Sequence, residues 1–186
     1  MAVLIEFETD RLSLRQWIET DREPLFARLN SDPQVMEFLP NLLDRVASDA
    51  MFDRLQSRIA DRGWGFWAVE SKIDRQFIGF VGLNIPQYEL SFAPCVEVGW
   101  RLAVEYWGKG YATEAAKGAL EIGFERLDVP EIVSFTTTNH RSRAVMERLG
   151  MERAAETFEH PLLAVGHPLR EHYLYRLARA KWQSAR

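Results

Sequence analysis

Two glycines in the middle of the chain have the spacing and surroundings of an anion-binding turn. Gly108 and Gly110 lie between Val96–Leu102, where apolar residues alternate with others, and Thr113–Arg126, where they recur at helical spacing. The first N–H groups of a helix have no partner within it and lie at the positive end of its dipole, and glycine lets the backbone approach a ligand closely. A strand, a glycine turn and a helix in this order predict a phosphate or pyrophosphate site, although an ordinary turn into a helix could have the same sequence.

Two common nucleotide-binding motifs do not fit this turn. A P-loop ends in Gly-Lys followed by Ser or Thr, with another glycine five positions before that Gly, whereas Lys109 is followed by Gly110 and the chain has Ala103 upstream. The dinucleotide fingerprint is half matched, but it normally occupies the first strand–helix unit, with an acidic residue ending the next strand. Here the turn follows three or four predicted strands, and the next strand ends in Thr136–Thr138. Neither scheme is favoured.

The composition is that of a globular protein with a single core. The chain has 186 residues, 47% hydrophobic and 27% charged, and we expect one domain over residues 1–186. No apolar run approaches the ~20 residues that span a bilayer, and the first residues include Glu6, Glu8 and Asp10 instead of the basic start of a signal peptide. We therefore expect a cytoplasmic protein that does not bind membranes.

Cysteine content and charge exclude several kinds of site. Cys95 is the only cysteine, so neither an internal disulfide nor a zinc cluster of cysteines can form. We expect a buried thiol, and a catalytic role for it stays open. The net charge of −4 argues against a nucleic-acid surface, which needs clustered Lys and Arg, and slightly favours a cationic partner. The arginines 141, 143, 148 and 153 fit the solvated side of a helix.

Periodicity and turn residues predict a mixed α/β chain with the element order β-α-α-β-β-β-α-β-α-β-β. The predicted strands are residues 9–17, 65–70, 76–84, 96–102, 131–137, 152–158 and 170–177. The predicted helices are residues 21–30, with Asp21 as the cap, 44–59, 113–126 and 142–149. Such a chain forms a single twisted sheet, mostly antiparallel, of about seven strands flanked by four helices.

Several segments, taken in order, resemble the GNAT superfamily of acetyl-CoA-dependent N-acetyltransferases, in particular the branch typified by ribosomal-protein N-terminal acetyltransferases. They are Thr9–Arg15 at the start, Glu97–Trp100 in the fourth strand, the loop Trp107–Ala115, the Asn139–Ser142 element and Ala144–Met151. The resemblance covers about residues 9–177. It departs from the family at Glu105, where the loop usually begins with Arg or Gln.

The resemblance implies a GNAT-like fold with splayed fourth and fifth strands, acetyl-CoA at the glycine turn, and no metal. The N–H groups that would hold the pyrophosphate belong to Trp107, Gly108, Lys109, Gly110, Tyr111, Ala112 and Thr113. Leu102, Ala103 and Val104 would offer backbone partners to the pantetheine arm, and Asn139 would also contact it. Gly99 is the predicted bulge residue at the splay, because a glycine inside a strand costs stability unless the geometry needs it.

Acetyl transfer to an amine requires that the amine lose a proton and that a thiolate depart. Glu97 is the predicted proton acceptor, on the strand face opposite Val96 and Val98; pairing with an arginine or exposure to solvent is the alternative. By the resemblance, Ser142 is the predicted proton donor to the thiolate. Asn139 and Ser142 could instead cap the short helix that they begin.

Four ring-bearing side chains are candidates for the acceptor side of the site. His160 and His167 lie on the loop between the last two strands, where this branch often lines the acceptor pocket, and neutral histidine could accept the amine proton. Trp64 and Trp67 would form a wall of the acceptor site or else pack in the core. The two histidines do not make a metal motif.

The sequence therefore predicts an N-acetyltransferase that transfers the acetyl group of acetyl-CoA directly to a primary amine. The amine would be a protein or peptide N-terminus or a small molecule, and the enzyme would be a monomer or homodimer without a metal. The alternative of another class is a CoA-binding sensor that keeps the glycine turn and lacks the chemistry.

Overall fold

The computed structural model describes residues 2–185, which form one sheet of eight strands with helices on both faces. The strands are β1 (Phe7–Glu8), β2 (Leu12–Arg15), β3 (Phe66–Ser71), β4 (Phe77–Asn84), β5 (Val96–Leu102), β6 (Glu131–Thr136), β7 (Glu152–Glu159) and β8 (Glu171–Ala178). The helices are α1 (Arg22–Leu25), α2 (Arg45–Arg62), α3 (Tyr111–Glu121), α4 (His140–Arg148) and α5 (Arg179–Ser184). α1 and α3 continue into π-helical turns, Phe26–Asn30 and Ile122–Arg126. Met1 and Arg186, which the predicted domain includes, lie outside the described residues.

This architecture confirms the predicted mixed sheet, with one strand and one helix more than expected among residues 2–185. The strand order is β1-β2-β3-β4-β5-β6-β8-β7, and neighbouring strands are antiparallel except β5 and β6. The additional strand is β1, which a turn separates from β2; in that turn the Thr9 N–H donates to the Leu12 carbonyl at 2.9 Å. The additional helix is α5, which follows β8 directly.

β5 and β6 diverge soon after they begin to pair. They pair at two positions, Val96 with Ile132 and then the next residue of each strand. Just beyond, the Ser134 hydroxyl donates to the Val98 carbonyl at 2.8 Å, in place of a backbone hydrogen bond. The predicted splay of these two strands is confirmed, and a cleft opens in the gap between them.

The predicted bulge at Gly99 is wrong. Gly99 pairs with Gly82 in an unbroken register between β4 and β5. A Cβ at Gly99 would lie 3.1 Å from the Phe66 ring, so glycine lets the ring pack closely against the strand without being displaced. A register shift occurs instead on β3, between Val69 and Glu70.

The two faces of β5 meet different helices, and this decides which side chains can share the cleft. Val98 and its cross-strand neighbour Leu83 are buried beneath the helical turn that continues α3. Successive side chains of a strand point to opposite faces, so Glu97 and Arg101 lie on the other face, beneath α2. There the Arg101 guanidinium lies 3.9 Å from the Met51 sulfur.

Two helices begin earlier than the sequence predicts. α3 begins at Tyr111 because Gly110, with a left-handed φ of 80°, turns the chain into the helix. α4 begins at His140 because the Asn139 side chain caps it, accepting the Ser142 N–H at 3.2 Å.

Asp21 does not cap α1, contrary to the prediction. Its buried carboxylate accepts the Ile18 N–H at 3.0 Å and pairs with Arg15 at 2.7 Å. The carboxylate therefore fixes the chain before the helix instead of serving the helix itself.

Neither a bilayer-crossing helix nor a metal-binding group occurs among residues 2–185. No helix there is long and apolar enough to cross a membrane. No three His, Cys, Asp or Glu side chains there gather closely enough to hold a metal ion.

Candidate active site

A cleft of about 1180 Å³ opens where β5 and β6 diverge. Its walls come from α2, β5, the glycine turn, the start of α3, and α4. It brings together most of the residues that the sequence singled out, namely Glu97, Leu102, Trp107, Gly108, Gly110, Tyr111, Ala112, Thr113, Asn139, Ser142 and His160. The other candidates, Trp64, Trp67, Ala103, Val104, Lys109 and His167, do not line it.

The glycine turn presents unpaired backbone N–H groups to this cleft. Gly108 and Gly110 have φ angles of 71° and 80°, and α3 begins after Gly110 without a side-chain cap. No other residue between 2 and 185 accepts a hydrogen bond from the N–H groups of residues 108–113. A Cβ at Gly108 would have no atom within 4 Å, so the space beside the turn is open. With the helix dipole, these groups make a site for an anion.

Side chains from the start of the chain hold the glycine turn in place. Glu114 accepts hydrogen bonds from the Thr9 hydroxyl at 2.6 Å and the Arg11 N–H at 2.9 Å, and pairs with the Arg11 guanidinium at 2.6 Å. A further nitrogen of Arg11 donates to the Lys109 carbonyl at 2.9 Å. The Thr9–Arg15 segment, which the resemblance marks without a role, thus fixes the start of α3. It also compensates the Glu114 charge beside the anion site.

On the cleft edge of β5, Trp100 has both of its backbone hydrogen-bonding groups open. The register with β4 directs the backbone groups of Val98, Trp100 and Leu102 away from β4 and toward β6. The Val98 and Leu102 carbonyls accept hydrogen bonds of 2.8 Å from the Ser134 hydroxyl and the Trp107 indole. Among the described residues Trp100 has no such partner, so its N–H and C=O face the gap.

Ala103 and Val104 do not offer the backbone groups predicted for them. The Ala103 N–H donates to the Ile78 carbonyl at 2.9 Å, and its carbonyl accepts the Tyr106 N–H at 3.0 Å. The Val104 carbonyl accepts the Trp107 N–H, also at 3.0 Å. These bonds close the turn that follows β5, so the two residues shape the loop and stay out of the cleft.

The wall formed by the end of β6 and the start of α4 has polar atoms that no residue of the described chain uses. Asn139 is a helix cap, as one of the two predictions for it stated, and the Ser142 hydroxyl lines the cleft without a partner among residues 2–185. The Thr137 hydroxyl is buried in the same wall, also without a partner there. A buried polar group is normally hydrogen-bonded, so the Thr137 hydroxyl is an unsatisfied group in the wall of the cleft.

Glu97 lies in the cleft wall with a raised pKa. Burial raises the pKa of Glu97 to about 7, against the opposing effect of the Asn84 amide, which donates to its carboxylate at 3.2 Å. The Asn84 side-chain oxygen accepts from Arg58 at 3.4 Å, which fixes the orientation of that amide. No arginine pairs with Glu97 among the described residues. With a pKa near neutral pH the carboxylate can take up and release a proton, as a general base must.

Ring-bearing side chains close the cleft near Glu97. The His160 Nε2 and Tyr88 hydroxyl lie 3.1 Å apart, and the His160 and His172 rings lie 4.9 Å apart between centroids. Burial and the neighbouring His172 lower the pKa of His160 to about 4, so this histidine is a much weaker base than Glu97. Burial raises the pKa of Tyr88, and the Glu97 carboxylate raises it further, which links Tyr88 to the same site.

Three of the predicted acceptor residues lie elsewhere. Trp67 is fully buried and its indole donates to the Ile5 carbonyl at 2.7 Å. Trp64 is partly buried against the core. His167 accepts the Leu169 N–H at 3.1 Å within its own loop. Core packing accounts for the two tryptophans and loop structure for the histidine.

Two further residues named by the sequence are also outside the cleft. Glu105, where the chain departs from the family, pairs with Arg28. Cys95 is half-buried, and burial raises the pKa of its thiol. A raised pKa keeps the sulfur protonated and unreactive, so Cys95 offers no nucleophile to this site.

Several cleft residues escape sequence reasoning. Tyr88 lies in a loop without a motif and Thr137 ends an ordinary strand pattern, so nothing local marks them. Trp100 belongs to a segment that carries the resemblance, but its open backbone groups depend on the register with β4. Arg141 fits a solvated helix face by sequence, yet its guanidinium lies 4.5 Å from the centroid of the Trp107 ring in the cleft wall. The position of Arg141 in the cleft wall depends on how α4 packs against the rest of the protein. The helical spacing of residues does not predict that packing.

Comparison with known proteins identifies the family. The sequence pattern of an acetyltransferase (GNAT) domain matches residues 11–152. The uncharacterized protein YkkB of Bacillus subtilis is 31% identical over 144 residues, which cover 77% of this chain and 83% of YkkB. The uncharacterized N-acetyltransferase YnaD of the same organism is 26% identical over 176 residues, which cover 94% of this chain and 97% of YnaD.

A solved structure has the same fold. Ribosomal-protein-S5-alanine acetyltransferase of Vibrio fischeri superimposes with a TM-score of 0.73 at 17% identity, over 96% of this chain and 98% of that one. This likeness shows the fold alone. The matched domain, the related sequences and the splayed sheet agree that the chain belongs to the GNAT acetyltransferase family and is an N-acetyltransferase.

Proposed function

We propose that this enzyme uses acetyl-CoA as its donor and transfers the acetyl group directly to a primary amine. The observation that carries the proposal is the cleft itself. An anion-binding glycine turn and a carboxyl group with a pKa of about 7 open into the same gap between β5 and β6. A donor with phosphates at one end and a reactive acyl group at the other would reach both.

The donor wall fits acetyl-CoA. The unpaired N–H groups of residues 108–113 would hold the pyrophosphate, with Lys117 and Arg148 nearby in the same cleft. The open N–H and C=O of Trp100 would pair with amides of the pantetheine arm, and the Thr137 hydroxyl would find a partner there. When bound, acetyl-CoA supplies an acetyl thioester, whose C–S bond is exchanged for a C–N bond to the amine.

Glu97 and Ser142 perform the proton transfers. Glu97 accepts the proton that the attacking amine loses, and the Asn84 amide holds its carboxylate in place. An α-amino group, with a pKa of about 8, needs less help than a lysine-like amine at about 10.4. The Ser142 hydroxyl, unused by the described residues, donates a proton to the departing sulfur and regains one from solvent.

The acceptor is a protein or peptide N-terminus or a small-molecule amine. The printed name of the Vibrio fischeri enzyme, a ribosomal-protein-S5-alanine acetyltransferase, supports the first. Glu97, with its raised pKa, suits either.

The test is thiol release from acetyl-CoA with a panel of peptides, amino acids, polyamines and aminoglycosides, together with calorimetric binding of acetyl-CoA. We expect binding, thiol release with at least one acceptor, and a product heavier by one acetyl group. Tight binding without turnover on any acceptor would favour the CoA-binding sensor. Absence of binding would contradict both functions.

A further inference from the structure

Three arginines line the cleft on the side of α2 and have no carboxylate partner among residues 2–185. They are Arg54 and Arg58 on α2 and Arg101 on β5. On the opposite wall Arg141 pairs with Glu37 at 2.6 Å. Glu97 lies on the same side of the cleft but forms no ion pair with any of the three, so the positive charge beneath α2 exceeds the negative charge there.

Arg101 is held in place by neutral groups. One of its terminal nitrogens donates to the Asn30 side-chain oxygen at 2.7 Å, and its guanidinium lies 5.1 Å from the Phe80 ring centroid. Asn30 is fully buried and donates to Ser48 at 3.0 Å, so the oxygen that Arg101 contacts is itself fixed. The Nε and second terminal nitrogen of Arg101 have no acceptor among residues 2–185. They remain available to a ligand.

A cation in such a place is costly without an anion. Burial lowers the pKa of Arg101 to about 10, so it remains charged at neutral pH while largely removed from water. Burial, reinforced by the charges of Arg62 and Arg54, lowers the pKa of Arg58 as well. Burying an unpaired charge is unfavourable, and a guanidinium with unused N–H groups binds carboxylate or phosphate oxygens in a bidentate manner.

The position of Arg101 separates this charge from the donor phosphates. Arg101 lies on the β5 face beneath α2, whereas the glycine turn begins α3 on the other side of the sheet. Glu97 shares the face of Arg101, four residues earlier, so their Cα atoms are about 13 Å apart at the usual rise of a strand. Gly99 lies between them without a side chain, and the Phe66 ring that packs against it lines the cleft.

We propose that the acceptor amine carries an anionic group, a carboxylate or a phosphate, which Arg101 binds with help from Arg58 and Arg54. The amine lies at Glu97 and the anion at Arg101, so several bonds separate the two groups. This inference rests on the proposed function, because the role of Glu97 defines where the amine lies. It reverses the expectation of a cationic acceptor drawn from the net charge of −4, because an acceptor meets the local charge of the cleft.

The test compares acceptors that differ only in the anionic group. The carboxylate arm uses ω-amino acids from β-alanine to 6-aminohexanoate, each beside its carboxamide. The phosphate arm uses O-phosphoethanolamine beside ethanolamine, and spermidine is the cationic comparison. The rate of acetylation of each acceptor is measured by thiol release from acetyl-CoA. The binding of each acceptor to the enzyme saturated with CoA is measured by calorimetry, which needs no turnover.

The variant Arg101→Gln tests the assignment to one side chain. We expect the preference of the enzyme for an anionic acceptor over its neutral counterpart to fall about 30-fold or more, as for loss of one partner of a buried charge pair. Comparing this ratio between enzymes cancels the differing amine pKa values of the acceptors. Arg45→Gln is the matched control, because Arg45 begins the same helix as Arg54 and Arg58 but does not line the cleft; it should leave the ratio unchanged.

The outcomes separate this inference from the proposed function. The inference is supported if the enzyme prefers the anionic acceptor in either arm and Arg101→Gln removes that preference. The arm in which this occurs shows whether the anionic group is a carboxylate or a phosphate. Equal use of anionic and neutral acceptors, a preference for spermidine, or weaker acetyl-CoA binding by Arg101→Gln would overturn it while the acetyl transfer stands. Failure of acetyl-CoA to bind the unmodified enzyme would overturn the proposed function. If Arg101→Gln does not fold, by circular dichroism, Arg101→Lys takes its place, since it keeps the charge and loses the bidentate geometry.

Discussion

The proposed donor and acceptor sides of the cleft consist of different kinds of chemical group. On the donor side the anion site consists of backbone N–H groups from one short segment, residues 108–113. On the acceptor side the groups are side chains that separate elements bring together, with Glu97 and Arg101 on β5 and Arg58 on α2. A backbone site is therefore contained in a short stretch of sequence, whereas a side-chain site exists only once the helices have packed on the sheet.

The change with the largest expected effect is on the acceptor side. Glu97→Gln keeps the shape of the side chain and removes the proton acceptor, so we expect turnover to fall about 10²- to 10⁴-fold, the usual contribution of a general base. Acetyl-CoA affinity, measured by calorimetry, should not change, because the glycine turn is intact. Glu156→Gln, at an exposed position of β7, is the matched control. Near-normal turnover of Glu97→Gln would assign the proton to another group.

The corresponding change on the donor side is Gly110→Ala. Gly110 and Gly166 have similar left-handed φ angles, 80° and 83°, so alanine at either position introduces backbone strain of roughly 1–2 kcal/mol. Only at Gly110 would the new Cβ approach Arg11, at 3.4 Å from a guanidinium nitrogen, and only there does the strain act on the anion site. We expect acetyl-CoA to bind about tenfold more weakly to Gly110→Ala, which corresponds to ~1.4 kcal/mol.

Gly166→Ala is the control for this change. Nothing lies within 4 Å of the Cβ that it would add, so it reports the strain alone through the melting temperature. If both variants bound acetyl-CoA equally well, the glycine turn would not be the phosphate site. The conclusion that the donor site consists of backbone groups would then be wrong.

The same contrast explains how much the sequence could predict. The sheet and the glycine turn follow from periodicity and from glycine, which act over a few neighbouring residues, whereas the splay was predicted only through the family resemblance. The bulge predicted at Gly99 was wrong because the reason for glycine there, the Phe66 ring, belongs to β3, which is two strands away in the sheet and far away in the sequence. Trp67 and Arg101 are both strand residues in an alternating pattern. Only tertiary packing distinguishes them: the Trp67 ring packs against Phe7, which contacts α3 at Gly118, whereas the Arg101 guanidinium lies beneath α2.

A smaller effect concerns the pH dependence of the acceptor side. Because burial raises the pKa of Glu97 to about 7 and the carboxylate form is the base, kcat/KM should rise as the pH increases through about 7. The hydrogen bond from Asn84 lowers this pKa, so Asn84→Leu should raise it and move the rise in activity to higher pH. The pKa values of Tyr88 and Cys95 are also raised and that of His160 is about 4, so those groups do not titrate in this window.

Profiles of the unmodified enzyme and of Asn84→Leu, measured with one acceptor, isolate the contribution of Glu97. The ionisation of the amine is the same in both experiments, and only the enzyme group differs. Superimposable profiles would mean that Glu97 does not carry the proton in the rate-determining step.

The smallest expected effect is on the donor side, where one substitution should raise the stability of the ligand-free enzyme and lower the stabilisation by acetyl-CoA. Thr137→Val replaces a buried hydroxyl that has no partner among residues 2–185, and an unsatisfied buried group of this kind costs roughly 1–3 kcal/mol. The variant without ligand should therefore melt at a higher temperature than the unmodified enzyme, yet gain less stability on addition of acetyl-CoA, because the bound donor loses a hydrogen bond. Thr138→Val, at the exposed neighbouring position, should change neither value. A lower melting temperature for ligand-free Thr137→Val would mean that the hydroxyl serves the fold, leaving the backbone groups of the glycine turn and Trp100 to hold the donor without it.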